Sequence, residues 1–256
     1  MKLSKRTWYG LVLALVLVGV LIAVAACGGD DETATTTGEG GEPVEGGIFN
    51  YFIIEPAFID PYNGQESEGV QVIQCVFDSL VAFDPLTSAP LPAAADSWEA
   101  NADASVWTFS LNEDAKFHNG RKVTAADFKY AFERICDPNG GSEISYHLDA
   151  VKGYQAMQDG TATELEGVKV IDDYTLEITL SYPFGDFLKW VGHPTLGPVP
   201  KEEVDKGAEA FAEMPIGNGP FKMAGPWQHD QLIQVLRNDD YYGEKPYLDG
   251  IDFKIF

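Results

Sequence analysis

The sequence is short of basic residues, histidine and cysteine, and each shortage argues against a class of function. Lys and Arg number 17 of 256 residues against 40 Asp and Glu, for a formal net charge of −23 at pH 7. A surface of that sign repels phosphate backbones, so no nucleic-acid partner is expected. We interpret the charge as keeping an exported protein soluble. The four histidines and three cysteines show no spacing typical of a zinc or redox site, so no metal or cofactor is expected.

Enzyme motifs are also missing from the sequence. There is no GxSxG, HExxH or P-loop segment. Adjacent carboxylates occur at Asp172-Asp173 and Asp239-Asp240, but a chain with 40 acidic residues contains such pairs by chance. The chain is therefore not expected to be an enzyme and has no candidate catalytic residue. A hydrolase stays as a less favoured alternative.

The amino terminus carries the pattern of an export signal. Basic residues in the first six positions precede an uncharged apolar run over residues 11–23, which is short for a membrane-spanning helix. The run leads into Val24-Ala25-Ala26-Cys27, and this cysteine after two alanines resembles the lipobox of bacterial lipoproteins. The resemblance implies a signal peptide over residues 1–26 and a diacylglycerol anchor on Cys27. A membrane helix with an incidental cysteine is the alternative.

The segment after Cys27 is predicted to be a flexible tether. Residues 28–46 read GGDDETATTTGEGGEPVEG, and Val44 is their one large apolar side chain. Such a segment buries too little surface to offset the entropy of ordering it. Residues 27–46 are therefore interpreted as lipid anchor and disordered linker, which would hold the folded part on the outward face of the membrane, periplasmic or extracellular.

The folded part is predicted to begin at Gly47 with a buried strand, because residues 48–54 (IFNYFII) are β-branched or aromatic with one exception. Apolar residues at helical spacing favour one helix over residues 67–83. Trp107, Phe109 and Leu111 alternate with polar residues, as in a half-buried strand. Thr124 is a good helix N-cap with Asp127 three residues on, which predicts a helix over residues 125–135.

The remaining elements are predicted from shorter patterns. We expect short helices over residues 151–159, 184–191 and 202–213, a hairpin over residues 168–180, and strands at residues 198–200, 221–223, 231–236 and 251–256. Cys75 and Cys136 could form a disulfide outside the cytoplasm or be two buried thiols.

Three blocks follow one another through residues 47–256. The first is LPAAADSWEANADASVWTFSLNEDAKFHNGRKVTAADFKYAFERI (91–135), the second PIGNGPFK (215–222) and the third RNDDYYGEKP (237–246). In order and spacing they resemble the oligopeptide-, dipeptide- and nickel-binding proteins of ABC importers, solute-binding protein family 5. In the first block His118 has no nucleophile near it in sequence and no second histidine at metal spacing, so we interpret it as a packed, hydrogen-bonded side chain.

The resemblance implies a fold. It is an α/β, periplasmic-binding-protein-like (type II) first lobe with a β-rich accessory domain. The first lobe (domain I) would comprise residues 47–81 and 180–256, and accessory domain II residues 82–179. Family members are about twice as long and close two lobes on the ligand. The second lobe is absent from this sequence, so we expect a truncated gene or a fragment of a longer protein.

The resemblance also implies a function. The protein would be the lipid-anchored solute-binding component of an ABC importer, capturing oligopeptide-like ligands for the permease and ATPase subunits. A surface adhesin or sensor domain on the same fold is the alternative, because fold alone does not decide function.

Candidate ligand contacts are carried over from the family. The loop after the first strand contacts ligand there, and here it contains Asn63, Gln65, Glu66 and Ser67. A second contact maps to Gly217-Asn218-Gly219, where glycine permits close backbone approach and Asn218 offers a donor and an acceptor. The family places an aromatic residue after the helix at residues 127–135; Ile144 stands there, with Tyr146 nearby. Each loop could equally be only a turn.

Overall fold

In the computed structural model of the chain, residues 43–256 are described. The predictions of a signal peptide at residues 1–26, of lipidation at Cys27 and of most of the linker lie outside these residues. Within residues 43–256, no helix combines the length and the hydrophobicity needed to cross a bilayer.

The first of two four-stranded sheets joins the two ends of the described chain. It contains β1 (Ile48–Ile53), β8 (Phe221–Met223), β9 (Leu232–Arg237) and β10 (Gly250–Ile255), in the order β1-β10-β9-β8. β1 runs parallel to β10, and the other pairs are antiparallel. The carboxyl ends of β1 and β10 therefore lie side by side. We call this end of the sheet the carboxyl edge; it runs across the strand ends, whereas β1 and β8 are the two outermost strands.

The strand predicted over residues 48–54 forms, but the expectation that it is buried is wrong. Phe49, Phe52 and Ile54 are 51%, 64% and 59% exposed, and only Ile53 is buried within β1. β1 lies at the outer edge of its sheet and has β10 as its neighbour on one side. An apolar sequence favours a strand, but burial depends on what covers it.

The second four-stranded sheet is antiparallel and is formed by residues from the middle of the chain. It contains β4 (Ala95–Ala100), β5 (Val106–Leu111), β6 (Val168–Asp172) and β7 (Thr175–Thr179), in the order β4-β5-β7-β6. Trp107, Phe109 and Leu111 are buried, which confirms the alternating pattern. The predicted hairpin is confirmed by the antiparallel pairing of β6 with β7. A small sheet of β2 (Val81–Phe83) and β3 (Pro90–Pro92) precedes it.

Residues 43–256 contain six short α-helices. They are α1 (Ser67–Val76), α2 (Ala125–Cys136), α3 (Tyr154–Gln158), α4 (Phe187–Val191), α5 (Lys201–Val204) and α6 (Ala208–Glu213). The α2 cap is confirmed, because the Asp127 carboxylate accepts a 2.8 Å hydrogen bond from the Thr124 amide. Arg121 holds the same carboxylate at 2.7 Å, which stabilises the start of α2.

Four helix predictions differ from the structure in extent. α3 and α4 each begin three residues later than the helices expected over residues 151–159 and 184–191. The helix expected over residues 67–83 ends at Val76, because Phe77 is extended and the Asp78 amide donates to Asn218, 140 residues away. Tertiary contacts thus outweigh the helical periodicity, and residues 81–83 form β2 instead. The helix expected over residues 202–213 is two helices, α5 and α6. Residues 198–200 form no strand.

Cys75 and Cys136 are free thiols, so the disulfide alternative is wrong, and the alternative of two buried thiols holds in full for Cys136 and in part for Cys75. Cys136 is fully buried and Cys75 partly so. Burial raises the pKa of each thiol to about 12. Neither is therefore a reactive thiolate near neutral pH.

Candidate functional site

The candidate site is the loop over residues 54–66, which leaves β1 at the carboxyl edge of the first sheet. In open α/β sheets, ligands bind outside the carboxyl ends of parallel strands. The Glu66 carboxylate accepts hydrogen bonds from the amides of Ala57 at 2.9 Å and Phe58 at 3.4 Å. The loop is thereby closed on itself immediately before α1 begins at Ser67.

A buried ion pair fixes the middle of this loop to α2. Arg134 donates two hydrogen bonds to the Asp60 carboxylate, at 2.7 and 2.6 Å, and Asp60 is fully buried. The Tyr62 ring centroid lies 4.5 Å from the guanidinium carbon. Burial alone would lower the pKa of Arg134, but the hydrogen bonds and charge of Asp60 outweigh it and hold this pKa above its ordinary value. The paired hydrogen bonds between the two side chains position the loop backbone.

The next residues of the loop are held by the segment that follows α2. The Asn63 side-chain oxygen accepts from the Glu143 amide at 2.6 Å, and the Ser142 hydroxyl donates to the Tyr62 carbonyl at 2.6 Å. Two predicted contact regions, residues 63–67 and the neighbourhood of Tyr146, are therefore joined. Asn63 is buried, and its side-chain oxygen is already hydrogen-bonded in this junction, whereas Gln65 and Ser67 are exposed.

Tyr146 presents an aromatic surface next to this junction. Its side chain is 44% exposed. The ring lies 4.4 Å from the ring of His147 and stands edge-on to Trp190 at 6.4 Å, centroid to centroid. His147 in turn stacks on His193 at 4.5 Å. Burial lowers the pKa of His147 to about 4, so this cluster is uncharged near neutral pH. Neutral aromatic faces of this kind suit an apolar or aromatic side chain of a ligand.

The third predicted contact, residues 217–219, lies elsewhere. The Gly219 amide donates to the Val76 carbonyl at 2.8 Å, at the carboxyl end of α1. A Cβ on Gly217 would lie 2.0 Å from the same oxygen, so glycine is required there by packing. Asn218 is fully buried, and its amide group bonds both backbone groups of Asp78, at 3.0 and 3.2 Å.

His118 completes the packing around residues 217–219, as the sequence predicted for a hydrogen-bonded histidine. Its Nδ1 accepts from the Gly217 amide at 3.3 Å, and its Nε2 lies 3.1 Å from the Gly219 carbonyl oxygen. These two contacts select the neutral ring with the proton on Nε2. Burial lowers the pKa of His118 to about 4, which keeps the ring neutral.

The predicted contacts thus form two groups that the structure does not bring together. Residues 63–67 lie at the amino end of α1 and residues 217–219 at its carboxyl end, and a helix of 10 residues is about 15 Å long. Residues 217–219 also lie at the amino end of β8, whereas the loop over residues 54–66 follows the carboxyl end of β1. The role of all eight residues in ligand contact stays a prediction, and Gln65, Ser67 and Tyr146 have exposed side chains.

A cavity of about 390 Å³ lies beside the Asp60–Arg134 pair. It is lined by Asp60, Tyr62, Arg134, Asp137, Gly140, Ala208, Glu209 and Ala212. The sequence does not predict that Arg134 and the residues of α6 line this site. Asp60 and Arg134 are 74 residues apart, and no motif links them. The described part of the chain holds no group of three or more His, Cys, Asp or Glu side chains placed to bind a metal ion.

Comparison with known proteins gives one matching family model, that of the bacterial extracellular solute-binding proteins, family 5 (middle), over residues 89–256. The dipeptide-binding protein DppE of Bacillus subtilis is 33% identical over 249 residues, which cover 94% of this chain and 44% of DppE. The periplasmic oligopeptide-binding protein OppA of Escherichia coli is 36% identical over 190 residues, 72% of this chain and 34% of OppA.

Solved structures agree with the sequence relatives. The murein tripeptide binding protein MppA of E. coli superimposes with a TM-score of 0.77 at 30% identity, over 83% of this chain and 42% of MppA. Haemophilus influenzae OppA in complex with RPPGFSPFR gives a TM-score of 0.76 at 30% identity, over 82% of this chain and 42% of OppA. The chain spans less than half the length of these relatives. Its mixed α/β fold is that of part of such a binding protein, and the chain belongs to the bacterial extracellular solute-binding proteins, family 5.

Proposed function

We propose that the protein is the solute-binding component of an ABC importer and that it captures peptides, without chemical turnover, at the carboxyl edge of its first sheet. The observation that carries the proposal is the similarity to DppE, OppA and MppA, whose names specify dipeptides, oligopeptides and a murein tripeptide. A captured peptide would be delivered to membrane permease and ATPase subunits.

The geometry supports a binding surface built on rigid backbone. The loop over residues 54–66 is fixed by Glu66, by the Asp60–Arg134 pair and by Asn63. A loop held in this way loses little conformational entropy when it binds a ligand. An extended peptide can be recognised through its main chain, which leaves exposed side chains such as Tyr146 to contact the peptide's own side chains.

Membrane anchoring is part of the proposal. A diacylglycerol on Cys27, after removal of residues 1–26, would hold the protein on the outward face of the membrane. The division into domains is also part of the proposal: a first lobe of residues 47–81 and 180–256, and an accessory domain of residues 82–179. In support, the strands of the first sheet all come from the former ranges and those of the second sheet from the latter. Mass spectrometry of membrane-extracted protein that finds an unmodified Cys27 would refute the anchor.

Peptide capture can be tested by NMR titration of the chain with the nonapeptide RPPGFSPFR. We expect weak binding, with a Kd on the order of 1 mM, because the chain spans less than half of its relatives and supplies only part of their contacts. Chemical shifts should change at Gln65, Ser67 and Tyr146 and stay constant in the β6–β7 hairpin.

The matched control uses two tyrosines of nearly equal exposure. Tyr146 is 44% exposed beside the loop. Tyr247 is 46% exposed near the amino end of β10, where its carbonyl accepts a hydrogen bond from the Gly46 amide. Tyr146→Ala should weaken binding several-fold, by about 1 kcal/mol for one lost aromatic contact, and Tyr247→Ala should not. Shifts confined to the region of Tyr247, or no shifts at saturating peptide, would argue against this site.

A further inference from the structure

The hairpin between β8 and β9 carries a histidine held between two carboxylates. Nδ1 of His229 lies 2.7 Å from an oxygen of Glu55, and Nε2 lies 2.9 Å from an oxygen of Glu213. Glu55 follows β1 at the carboxyl edge of the first sheet, and Glu213 is the last residue of α6. One imidazole ring therefore joins the hairpin to the end of α6, 16 residues before it, and to the end of β1, 174 residues before it.

With both glutamates ionised, the two contacts can be satisfied together only by a charged ring. An ionised carboxylate accepts hydrogen bonds and cannot donate them, and a neutral imidazole carries a single N–H. With a neutral ring, one of the two glutamates would face a nitrogen lone pair. The hydrogen bond with Glu55 is the largest cause of the raised pKa of His229; desolvation of the ring lowers this pKa, and the hydrogen bond with Glu213 and the charges of both glutamates raise it further.

The backbone of the hairpin is held by the same two glutamates, by the carboxylate of Glu55 and by the main-chain carbonyl of Glu213. The second oxygen of Glu55 accepts from the Asp230 amide at 3.0 Å, and Asp230 is left-handed, with φ of 58°. The Glu213 carbonyl accepts from the amide of Trp227 at 2.9 Å, and the Trp227 ring lies 4.1 Å from that of His229. The charged groups around the ring are Glu55 from the β1 loop, Glu213 from α6 and Asp230 from the turn itself.

We propose that His229 is a proton-operated clasp that fastens the β8–β9 hairpin to the end of β1 and to α6. When His229 is protonated, both arms of the clasp are closed. Loss of the proton turns one contact into a repulsion and opens that arm. Glu55 lies at the start of the loop whose other end Glu66 closes, so the clasp also sets how the loop leaves β1. The proposal goes beyond peptide capture and does not depend on it.

The titration of His229 tests the clasp directly. The imidazole C–H resonances of the full chain are followed by NMR as the pH is varied, and His229→Gln identifies the resonance among the four histidines. We expect His229 to have the highest pKa of the four. Glu55→Gln and Glu213→Gln should each lower it, and the double variant should lower it further. Glu209→Gln is the matched control, since Glu209 lies on the same helix but lines the cavity beside Arg134.

A second measurement tests whether the proton moves the backbone. The Asp230 amide reports on the Glu55 arm and the Trp227 amide on the Glu213 arm. Both amides should be protected from hydrogen exchange below the His229 pKa, and one of them should lose protection above it, after correction for the intrinsic pH dependence of exchange. An unchanged His229 pKa in the double variant would overturn the proposal. If neither the Asp230 nor the Trp227 amide changes its protection with the titration of His229, the proposal is overturned as well, and neither result bears on peptide capture.

Discussion

At the scale of single residues, several side chains that look suited to ligand contact are used for packing. Gly217 is the sharpest case, because an added Cβ would lie 2.0 Å from the Val76 carbonyl oxygen. We expect Gly217→Ala to lower the free energy of unfolding by about 1–3 kcal/mol, the range for overpacking a filled site. Urea denaturation followed by tryptophan fluorescence measures the loss.

Gly185 is the matched control for this substitution. An added Cβ at Gly185 has no atom within 4 Å. Gly185→Ala should therefore leave stability unchanged or raise it slightly, because alanine reduces the entropy of the unfolded chain. Equal losses in the two variants would show that residues 217–219 are not held against α1 as described.

At the scale of elements, the Asp60–Arg134 pair decides how the loop after β1 sits on α2. Arg134→Met keeps much of the side-chain volume but leaves the Asp60 carboxylate buried without a counter-charge. Breaking a buried pair in this way costs about 3–5 kcal/mol, so we expect a loss of that size in chemical denaturation. Lys152→Met removes the exposed Lys152–Glu166 pair, whose side chains are 50% and 66% exposed, and should cost less than about 1 kcal/mol. A small loss in both variants would contradict the role given to Arg134.

Elements set by local pattern could be predicted from the sequence, and those set by distant contacts could not. Apolar and polar residues alternate along β5, and Thr124 and Asp127 form the cap of α2, so the sequence predicts both elements. The end of α1 at Val76 depends on Asn218, and the exposure of β1 depends on its place at the sheet edge. The candidate site follows the same rule: the sequence predicts the loop after β1 but not the contacts Asp60–Arg134 and Glu55–His229 that hold it, because the residues of each pair are 74 and 174 positions apart.

At the scale of the whole molecule, the histidines oppose one another in the pH dependence of stability. Burial lowers the pKa of His118 to about 4, that of His147 to about 4, and that of His193 as well. These groups bind more protons in the unfolded state, so their contribution to stability is lost as pH falls from their unfolded value near 6.5. His229 has the opposite sign, since its raised pKa favours the folded state until pH rises through it.

Acidification also reduces the self-repulsion of a chain with net charge −23, which favours the folded state. The partly buried His118 should outweigh this effect, because a pKa lowered from 6.5 to about 4 corresponds to a loss on the order of 3 kcal/mol on going from pH 7 to pH 4. We therefore expect the urea midpoint to fall between pH 6.5 and 4.5. In His118→Gln, which has no proton to gain, the midpoint should fall less over this range, although the variant is less stable at pH 7. The net charge is nearly the same in both proteins, so the difference between their two pH profiles measures the effect of protonating the His118 ring. Identical slopes would mean that His118 is not the group whose protonation destabilises the fold.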